Sequence, residues 1–348
     1  MSLKKERREE IENALINAIG EHFTTKKVPI NQKEFANACG VSVQSISRIL
    51  KMLEESGRVL KQKEGRINVF SLPTEKKFLE YKIKGLAEDR VYNELVADFI
   101  RDTPKYARDN FAYAFLEILN NAIEHSAGTK VQVVILRNEC LLSFIIVDDG
   151  VGVFTKVAEA LNLEEKRYAI VELAKGKFTS DPDNHSGEGI FFSSKCGDVF
   201  VLESDGIAFF ADHTTELLHD IVSEKHPGTT VVFKIRTNHK QTMEELFKQY
   251  TDAPERYGFS KTSIPIRLLE YGDASPIFVS RSQARRLLAR LERFEVVRLD
   301  FSGVDNIGQG FADEIFRVFQ KKHPDVELTY VNCTEAVHGM IRHVLEYK

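Results

Sequence analysis

Three patterns of apolar and polar positions follow one another along the 348-residue chain. Residues 1–74 show helical spacing and then a short alternating run. Residues 75–250 show one strongly helical stretch followed by apolar runs with the two-residue period of β-strands. In residues 258–348, short apolar runs alternate with helical stretches. These patterns predict a multidomain α+β protein with three units at those boundaries, and the charged segment 73–89 is interpreted as a linker.

The helical stretch at residues 115–125 has one apolar side and one polar side. At 100° per residue, its apolar side chains fall together: Phe115, Leu116, Ile118, Leu119, Ala122 and Ile123. Glu117, Asn121 and His125 are four residues apart, so they form a row on the other side. Asn120 and Asn121 are poor helix formers, which favours a ligand-facing row over an ordinary solvated one.

Three later segments add glycines and an acid. An alternating run at 141–147 leads into DDGVG at residues 148–152, where an acid stands beside glycines that allow close backbone approach. The sequence SGEG at 186–189 predicts a loop whose backbone N–H groups can face phosphate, with a helix starting just after it. Gly228 and Thr229 open a further alternating run. The chain has no Gly-x-x-x-x-Gly-Lys-Ser/Thr segment, so a P-loop ATPase is not expected.

In order and chemistry, these four segments resemble the ATP pocket of the GHKL superfamily. The resemblance implies a Bergerat-type α/β sandwich, with a mixed sheet and helices on one face. It implies ATP and Mg²⁺ as cofactors, with Asn121 as the protein ligand of the Mg²⁺ bound to the phosphates. It also implies that Glu117 orients or deprotonates the attacking water in members that hydrolyse ATP.

The resemblance assigns the remaining nucleotide contacts to the later segments. Asp148 is expected to recognise the adenine amino group. The other expected nucleotide-binding positions are Gly150, Gly152, Gly187, Gly189 and Thr229. The segment at about 165–190, which contains Lys175 and Lys177, is interpreted as a mobile lid over the nucleotide, although an ordinary surface loop also fits those lysines.

Residues 30–51 have the pattern of two helices joined by a short turn at Gly40, and residues 58–70 that of a two-stranded wing. The unit resembles a winged helix-turn-helix domain. The expected DNA-facing residues are Gln44, Ser45, Arg48, Lys51, Lys63 and Arg66. Residues 1–74 carry 13 Lys and Arg against 9 Glu and no Asp, a modest +4. DNA binding is favoured, and a protein-interaction or dimerisation module stays open.

The last unit has the alternating pattern of a β/α domain. Residues 296–311 are similar to STAS domains, and the whole block resembles the STAS-like family of unknown function DUF4325. In STAS domains a hydroxyl near this position is often phosphorylated, but residues 306–310 contain none. A helix with Arg281, Arg285, Arg286, Arg290 and Arg293 is interpreted as a solvated surface, in preference to a site for nucleic acid or an acidic partner.

Composition narrows the class of protein. Apolar residues make up 43% and charged residues 29%, as in soluble globular proteins. No apolar run approaches the roughly 20 residues that span a bilayer, and the four cysteines lack metal-site spacing. A cytoplasmic protein without a membrane partner is expected.

The combined expectation is a Mg-ATP-binding regulator, with a DNA-binding domain switched by ATP binding or slow hydrolysis. One alternative is a protein Ser/Thr kinase that acts on a separate STAS protein. Another is a non-catalytic ATP-sensing scaffold. No phosphoacceptor-histidine helix is evident between residues 75 and 110, so two-component kinase activity is not expected. A homodimer and a protein partner for the STAS-like domain stay open.

Overall fold

The computed structural model describes residues 5–20, 28–178, 187–212, 216–220, 227–251, 259–269 and 278–346. These residues form three units, each with its own sheet. The chain is therefore of mixed α and β structure with several units. Within the described residues, no helix is long and apolar enough to cross a bilayer.

The first unit packs three helices against a small antiparallel sheet. Its elements are α1 (Lys5–Gly20), β1 (Val28–Pro29), α2 (Gln32–Cys39), α3 (Val43–Glu55), β2 (Leu60–Glu64) and β3 (Ile67–Ser71), with strand order β1-β3-β2. Helix α2 ends at Gly40, whose φ of 62° suits glycine. Helix α3 begins after Ser42, whose hydroxyl accepts a hydrogen bond from the Ser45 N–H. The apolar sides of α1 and α3 form a core with Phe70.

The second unit is built on a seven-stranded sheet. Its first half contains β4 (Glu75–Lys82), α4 (Glu88–Val91), α5 (Lys105–Asn120), β5 (Lys130–Arg137), β6 (Leu141–Asp148), α6 (Val153–Leu161) and α7 (Tyr168–Lys175). Its second half contains α8 (Gly189–Lys195), β7 (Val199–Ser204), β8 (Ile207–Asp212), β9 (Glu216–Asp220), β10 (Thr229–Arg236) and α9 (Met243–Tyr250). Helices α5 and α8 pack on one face of the sheet.

Two features of this sheet differ from the sequence-based expectations. Segment 73–89 is not simply a linker, because β4 pairs with β5 and forms the edge of the sheet. The sheet is also not mixed: in the order β4-β5-β6-β10-β7-β8-β9, every neighbouring pair is antiparallel. Strand β10 lies between β6 and β7, so those two parallel strands never pair directly.

The third unit alternates strands and helices, as predicted. It contains β11 (Lys261–Pro265), α10 (Arg281–Leu288), β12 (Val296–Asp300), α11 (Gln309–Asp313), α12 (Gln320–Lys322), β13 (Glu327–Val331) and α13 (Glu335–Glu346). A π-helical turn at Glu314–Phe319 joins α11 to α12. The strands pair in parallel in the order β11-β12-β13. The strand predicted at 276–280 is reduced to a single bridge between Phe278 and Ile307, and residues 276–277 lie outside the described residues.

The second and third units share one continuous hydrophobic core, whereas the first unit has its own. Phe259, at the start of the third unit, lies 4.7 Å from the ring of Phe191 and 5.4 Å from that of Phe294. Such edge and tilted aromatic contacts add to area burial. The third unit is therefore packed on the second along a broad surface.

Candidate functional site

A cavity of about 320 Å³ opens beside the end of β6 in the second unit. It brings together residues from all four singled-out segments, which lie as far apart as positions 117 and 229. The predicted site residues that line it are Glu117, Asn121, Asp148, Gly152, Gly187, Gly189 and Thr229. Its apolar wall includes Ile146, Leu202 and Val231 from the sheet and Leu173 from α7. Gly150 is not a lining residue and instead shapes the turn beneath the cavity.

The polar row of Glu117, Asn121 and His125, on α5 and the turn that follows it, lines this cavity. Phe115 and Leu119 on the opposite side are buried in the core. At Asn121 the helix changes into a π-helical turn, Asn121–His125. Such turns are rare and are frequent at functional sites. The amide nitrogen of Asn121 is buried and has no hydrogen-bond partner among the described residues, so this side chain is available for a ligand in the cavity.

Asp148 is a buried acid held by two backbone donors. The Gly150 and Thr229 N–H groups donate to its Oδ1 at 2.9 and 3.3 Å. Burial raises the pKa of Asp148, and the two backbone hydrogen bonds oppose that shift. Its other oxygen is not used by these two bonds, so the carboxylate can accept a hydrogen bond from a ligand amino group.

The neighbouring acid, Asp149, points elsewhere. Its Oδ1 accepts hydrogen bonds from the Thr129 and Lys130 N–H groups at 2.6 and 2.9 Å. The Thr129 hydroxyl donates to Oδ2 at 2.6 Å. These bonds, led by that from the Thr129 hydroxyl, lower the pKa of Asp149 to about 2. Asp149 therefore ties two strands together, while Asp148 faces the cavity.

Close backbone approach explains two of the glycines. A Cβ at Gly150 would lie 2.1 Å from the carbonyl oxygen of Ser126, which follows the π-helical turn, so any side chain would push these two backbone segments apart. A Cβ at Gly189 would lie 2.2 Å from Oε2 of Glu117. Gly189 is the first residue of α8, so this helix begins directly against the carboxylate that the sequence predicts to be catalytic.

Lys156 is a cavity residue that the sequence did not single out. It lies on α6, and its ammonium donates to the carbonyl oxygen of His125 at 2.7 Å. Burial lowers the pKa of Lys156. The acids Glu117, Asp148 and Glu188 also line the cavity. Its spacing could have indicated this position in the sequence. Lys156 comes one helical turn after Gly152, so its side chain points back toward the cavity that Gly152 lines.

The predicted lid lysines do not face the cavity. Lys175 is buried and donates to Glu172 at 2.7 Å and to the carbonyl oxygen of Ala289 at 2.8 Å. The Lys177 ammonium donates to the carbonyl oxygen of Arg293 at 3.0 Å. Residues 169–175 are buried throughout, so this part of the expected mobile lid is instead the contact with the third unit. Residues 179–186 lie outside the described residues.

The arginine row of the third unit is also not a plain solvated surface. Four of its five side chains are paired with carboxylates that are distant in sequence or on another helix. The pairs are Arg281–Asp313, Arg285–Glu314, Arg286–Glu164 and Arg290–Glu172. The last two join α10 and the segment just after it to the second unit, so these arginines hold the chain's own units together.

The expected DNA-facing residues lie on α3 and on the hairpin formed by β2 and β3. Gln44, Arg48 and Lys51 are exposed along α3, and Ser45 is half-buried. Lys63 and Arg66 are exposed near the hairpin turn at Gly65. Lys51 makes an ion pair with Glu55 at 3.5 Å, which offsets part of its charge.

A family model for a STAS-like domain of unknown function (DUF4325) matches residues 283–338. This range runs from within α10 to the first turn of α13 in the third unit and is less than half of the chain. No curated protein matches the sequence. The third unit thus contains a STAS-like domain.

Proposed function

We propose that the chain is a regulatory protein that binds Mg-ATP in the cavity of its second unit, in the manner of GHKL ATPases. The observation that carries the proposal is the convergence of Glu117, Asn121, Asp148 and Gly189 on one cavity. Sites for small ligands combine apolar walls with a few convergent polar groups. This cavity has both.

The end of the cavity near Asp148 suits a purine. The carboxylate lies beside the apolar side chains of Ile146 and Val231, which can cover the faces of a flat ring. Thr229 is held close by, because its hydroxyl accepts a hydrogen bond from the Val153 N–H at 3.0 Å. An amino group on the ring would donate to Asp148, so adenine is favoured over a base with an oxygen at that position.

The opposite end suits a Mg²⁺-bound phosphate chain. Among the described residues, no group of three His, Cys, Asp or Glu side chains could hold a metal ion by itself. Mg²⁺ commonly takes one or two protein oxygens, phosphate oxygens and water. Asn121 lines the cavity, and its side-chain oxygen would be the protein ligand. Bound Mg²⁺ would supply positive charge between the phosphates and the cavity acids.

Glu117 is the proposed general base. Its carboxylate would take a proton from a water as that water attacks the terminal phosphorus and the bond to ADP breaks. The N-terminus of α8 next to Glu117 provides backbone N–H groups that can face an anion. Slow turnover fits a regulatory role, in which the bound nucleotide signals to the outer units.

The outer units define what such a nucleotide site would regulate. Leu173 and Lys175 lie on the same helix, α7; Leu173 lines the cavity and Lys175 contacts the third unit. A change at the cavity can therefore reach the STAS-like domain through one short helix. We propose that the first unit binds DNA and that nucleotide binding in the second unit alters this DNA binding.

Calorimetric titration with Mg-ATP tests the proposal with a matched pair of neighbouring acids. Asp148→Asn should abolish detectable binding, because an amide cannot replace the acceptor without presenting a clashing N–H group. Asp149→Asn is the control, since its side chain faces Thr129 and Lys130. It should lower stability and leave nucleotide affinity within about twofold, an estimate based on the independence of non-contacting sites.

Phosphate release then separates catalysis from sensing. Glu117→Gln should bind Mg-ATP and release no phosphate, while the unchanged chain turns over. Binding without release in the unchanged chain would favour the sensor, or a kinase whose substrate is a separate protein. No binding of ATP, ADP or adenosine by the unchanged chain would refute the proposed nucleotide site.

A further inference from the structure

The seven-stranded sheet has two apolar faces, and the helices that pack on it in the described part of the chain, α5 and α8, lie on one of them. Side chains alternate between these faces along β5, β6, β7, β8 and β10. The inward side chains, such as Phe144, Val231 and Phe233, are fully buried against α5 and α8. Most outward side chains are only partly buried, whereas Leu141, Ser143 and Ala208 on this face are buried.

One outward row runs across six neighbouring strands in direct register. Because directly paired residues in an antiparallel sheet point to the same side, the register identifies the members of this outer apolar row. They are Phe78, Val134, Ile145, Val232, Val201 and Phe210. Phe78, on the edge strand, is 53% exposed. Antiparallel sheets that face water normally carry polar residues on that side, so this row is unusual for a free surface.

The charged side chains on the two sides of the outer apolar row have opposite signs. On each strand, the next outward residues lie two positions before and two positions after the outer apolar row. On one side of the row these include Lys76 and Lys234, and on the other side they include Glu80 and Glu203. Asp212, at the far end of the lysine side, is the exception. Glu80 also has partners within the sheet, Lys130 and Gln132.

We propose that this outer sheet face binds a second copy of the chain, face to face, about a two-fold axis that runs along the outer apolar row. Such an axis exchanges the two sides of the row. It places the Lys76 side of one copy over the Glu80 side of the other, and the apolar rows cover each other. An axis parallel to the strands through the middle of the row would instead place Lys76 over Asp212 and Glu80 over Ala208, so a charge exchange at positions 76 and 80 distinguishes the two arrangements.

The size of the face agrees with a weak, reversible dimer. Six strands at about 4.8 Å spacing and about five residues of each strand give roughly 29 Å by 17 Å, or about 500 Å² per copy. Two copies would therefore bury on the order of 1,000 Å², which is the lower limit for a specific interface. We therefore expect monomers and dimers to exchange in the micromolar concentration range.

Sedimentation velocity on the full chain without nucleotide tests the proposal. The unchanged chain should shift from monomer to dimer between about 1 and 100 µM, the range expected for such a small interface. Phe78→Lys should weaken dimerisation at least tenfold. Ile67→Lys is the matched control, because Ile67 is 58% exposed on β3 of the first unit; it should leave the dimer unchanged.

A charge exchange tests the orientation. Lys76→Glu and Glu80→Lys should each weaken the dimer. The double variant should recover most of the affinity, because the exchanged side chains again meet the opposite charge of the second copy across the two-fold axis. A chain that stays monomeric at 100 µM, a dimer that resists Phe78→Lys, or a double variant no better than the single ones would overturn the proposal. None of these results depends on nucleotide binding.

Discussion

Glu172→Gln is the substitution from which we expect the largest loss of stability. Glu172 is buried between two cations from different units, Lys175 and Arg290. The Lys175 side chain is 1% exposed and Glu172 6%, while Arg290 is 26% exposed. The Lys175 ammonium donates to the Glu172 carboxylate; its other acceptors are the carbonyl oxygens of Arg286 and Ala289.

Removing one partner of a buried ion pair typically costs roughly 3–5 kcal/mol, because the other charge stays buried without compensation. Glu172→Gln should fall in that range. Lys175→Met should cost only about 1–3 kcal/mol, the usual penalty for one buried group that loses its partner, because Glu172 keeps Arg290. The double variant should cost no more than Glu172→Gln alone, since no buried ammonium then remains.

Urea unfolding followed by far-UV circular dichroism measures these differences, since the chain has no Trp. Glu164→Gln is the control, because Glu164 pairs with Arg286 at the surface with 75% of its side chain exposed; its cost should stay below about 1 kcal/mol. A loss under about 1 kcal/mol for Glu172→Gln, or a larger loss for Lys175→Met, would refute this account of the buried pair.

The pH dependence gives a second signature of the same pair. Burial lowers the pKa of Lys175, and Glu172 opposes that shift. Between its lowered folded pKa and its ordinary unfolded value, the folded chain binds fewer protons than the unfolded chain, so stability rises with pH in that window. Glu172→Gln removes the opposing carboxylate and widens the window. The variant should therefore regain part of its lost stability as the pH is raised above 7.

Three further predictions concern the ligand sites. Lys156→Met should weaken Mg-ATP binding about tenfold, the value of one charge-assisted hydrogen bond, and leave adenosine binding unchanged. Arg48→Ala with Lys51→Ala should weaken DNA binding and reduce the slope of log affinity against log salt by about two, because each phosphate contact contributes nearly one unit. Affinity for Mg-ATP should decline on acidification at a higher pH than an ordinary Asp would cause, because burial raises the pKa of Asp148 and only its ionised form accepts the adenine amino group.

Each of these three predictions has an outcome that would contradict it. Equal losses for ATP and adenosine in Lys156→Met would place the lysine away from the phosphates. A DNA affinity that is unchanged in the double variant would remove the first unit from DNA recognition. Constant Mg-ATP affinity down to about pH 4, near the ordinary pKa of Asp, would mean that Asp148 does not carry base recognition.

The cavity residues could be predicted because each segment has a local signature. The row of Glu117 and Asn121 follows from helical spacing, and the glycines beside Asp148 and at 187 and 189 follow from what close backbone approach requires. Their convergence was not visible in any one segment. It arises when α5 and β6 pack together and β10 inserts beside β6, and the sequence suggested it only through the order of the segments.

The lysines of α7 and the segment after it could not be assigned correctly from sequence. Their partners, the carbonyl oxygens of Ala289 and Arg293, lie 114 and 116 residues further along the chain, and a backbone carbonyl has no residue signature. Strand β4 was missed for a different reason. As an edge strand exposed at nearly every position, it carries Lys and Glu between its apolar residues, and this composition resembles that of a linker.

The shared aromatic core has a consequence for how this chain can be divided. A Cβ at Gly176 would lie 2.4 Å from the ring of Phe259, so the segment after α7 and the entry to the STAS-like domain fit together with no spare volume. Cutting the gene between positions 251 and 259 would leave Phe191 and Phe192 facing water. We therefore expect fragments ending there to precipitate, and recombination to exchange residues 75–346 as one inherited block rather than as two interchangeable modules.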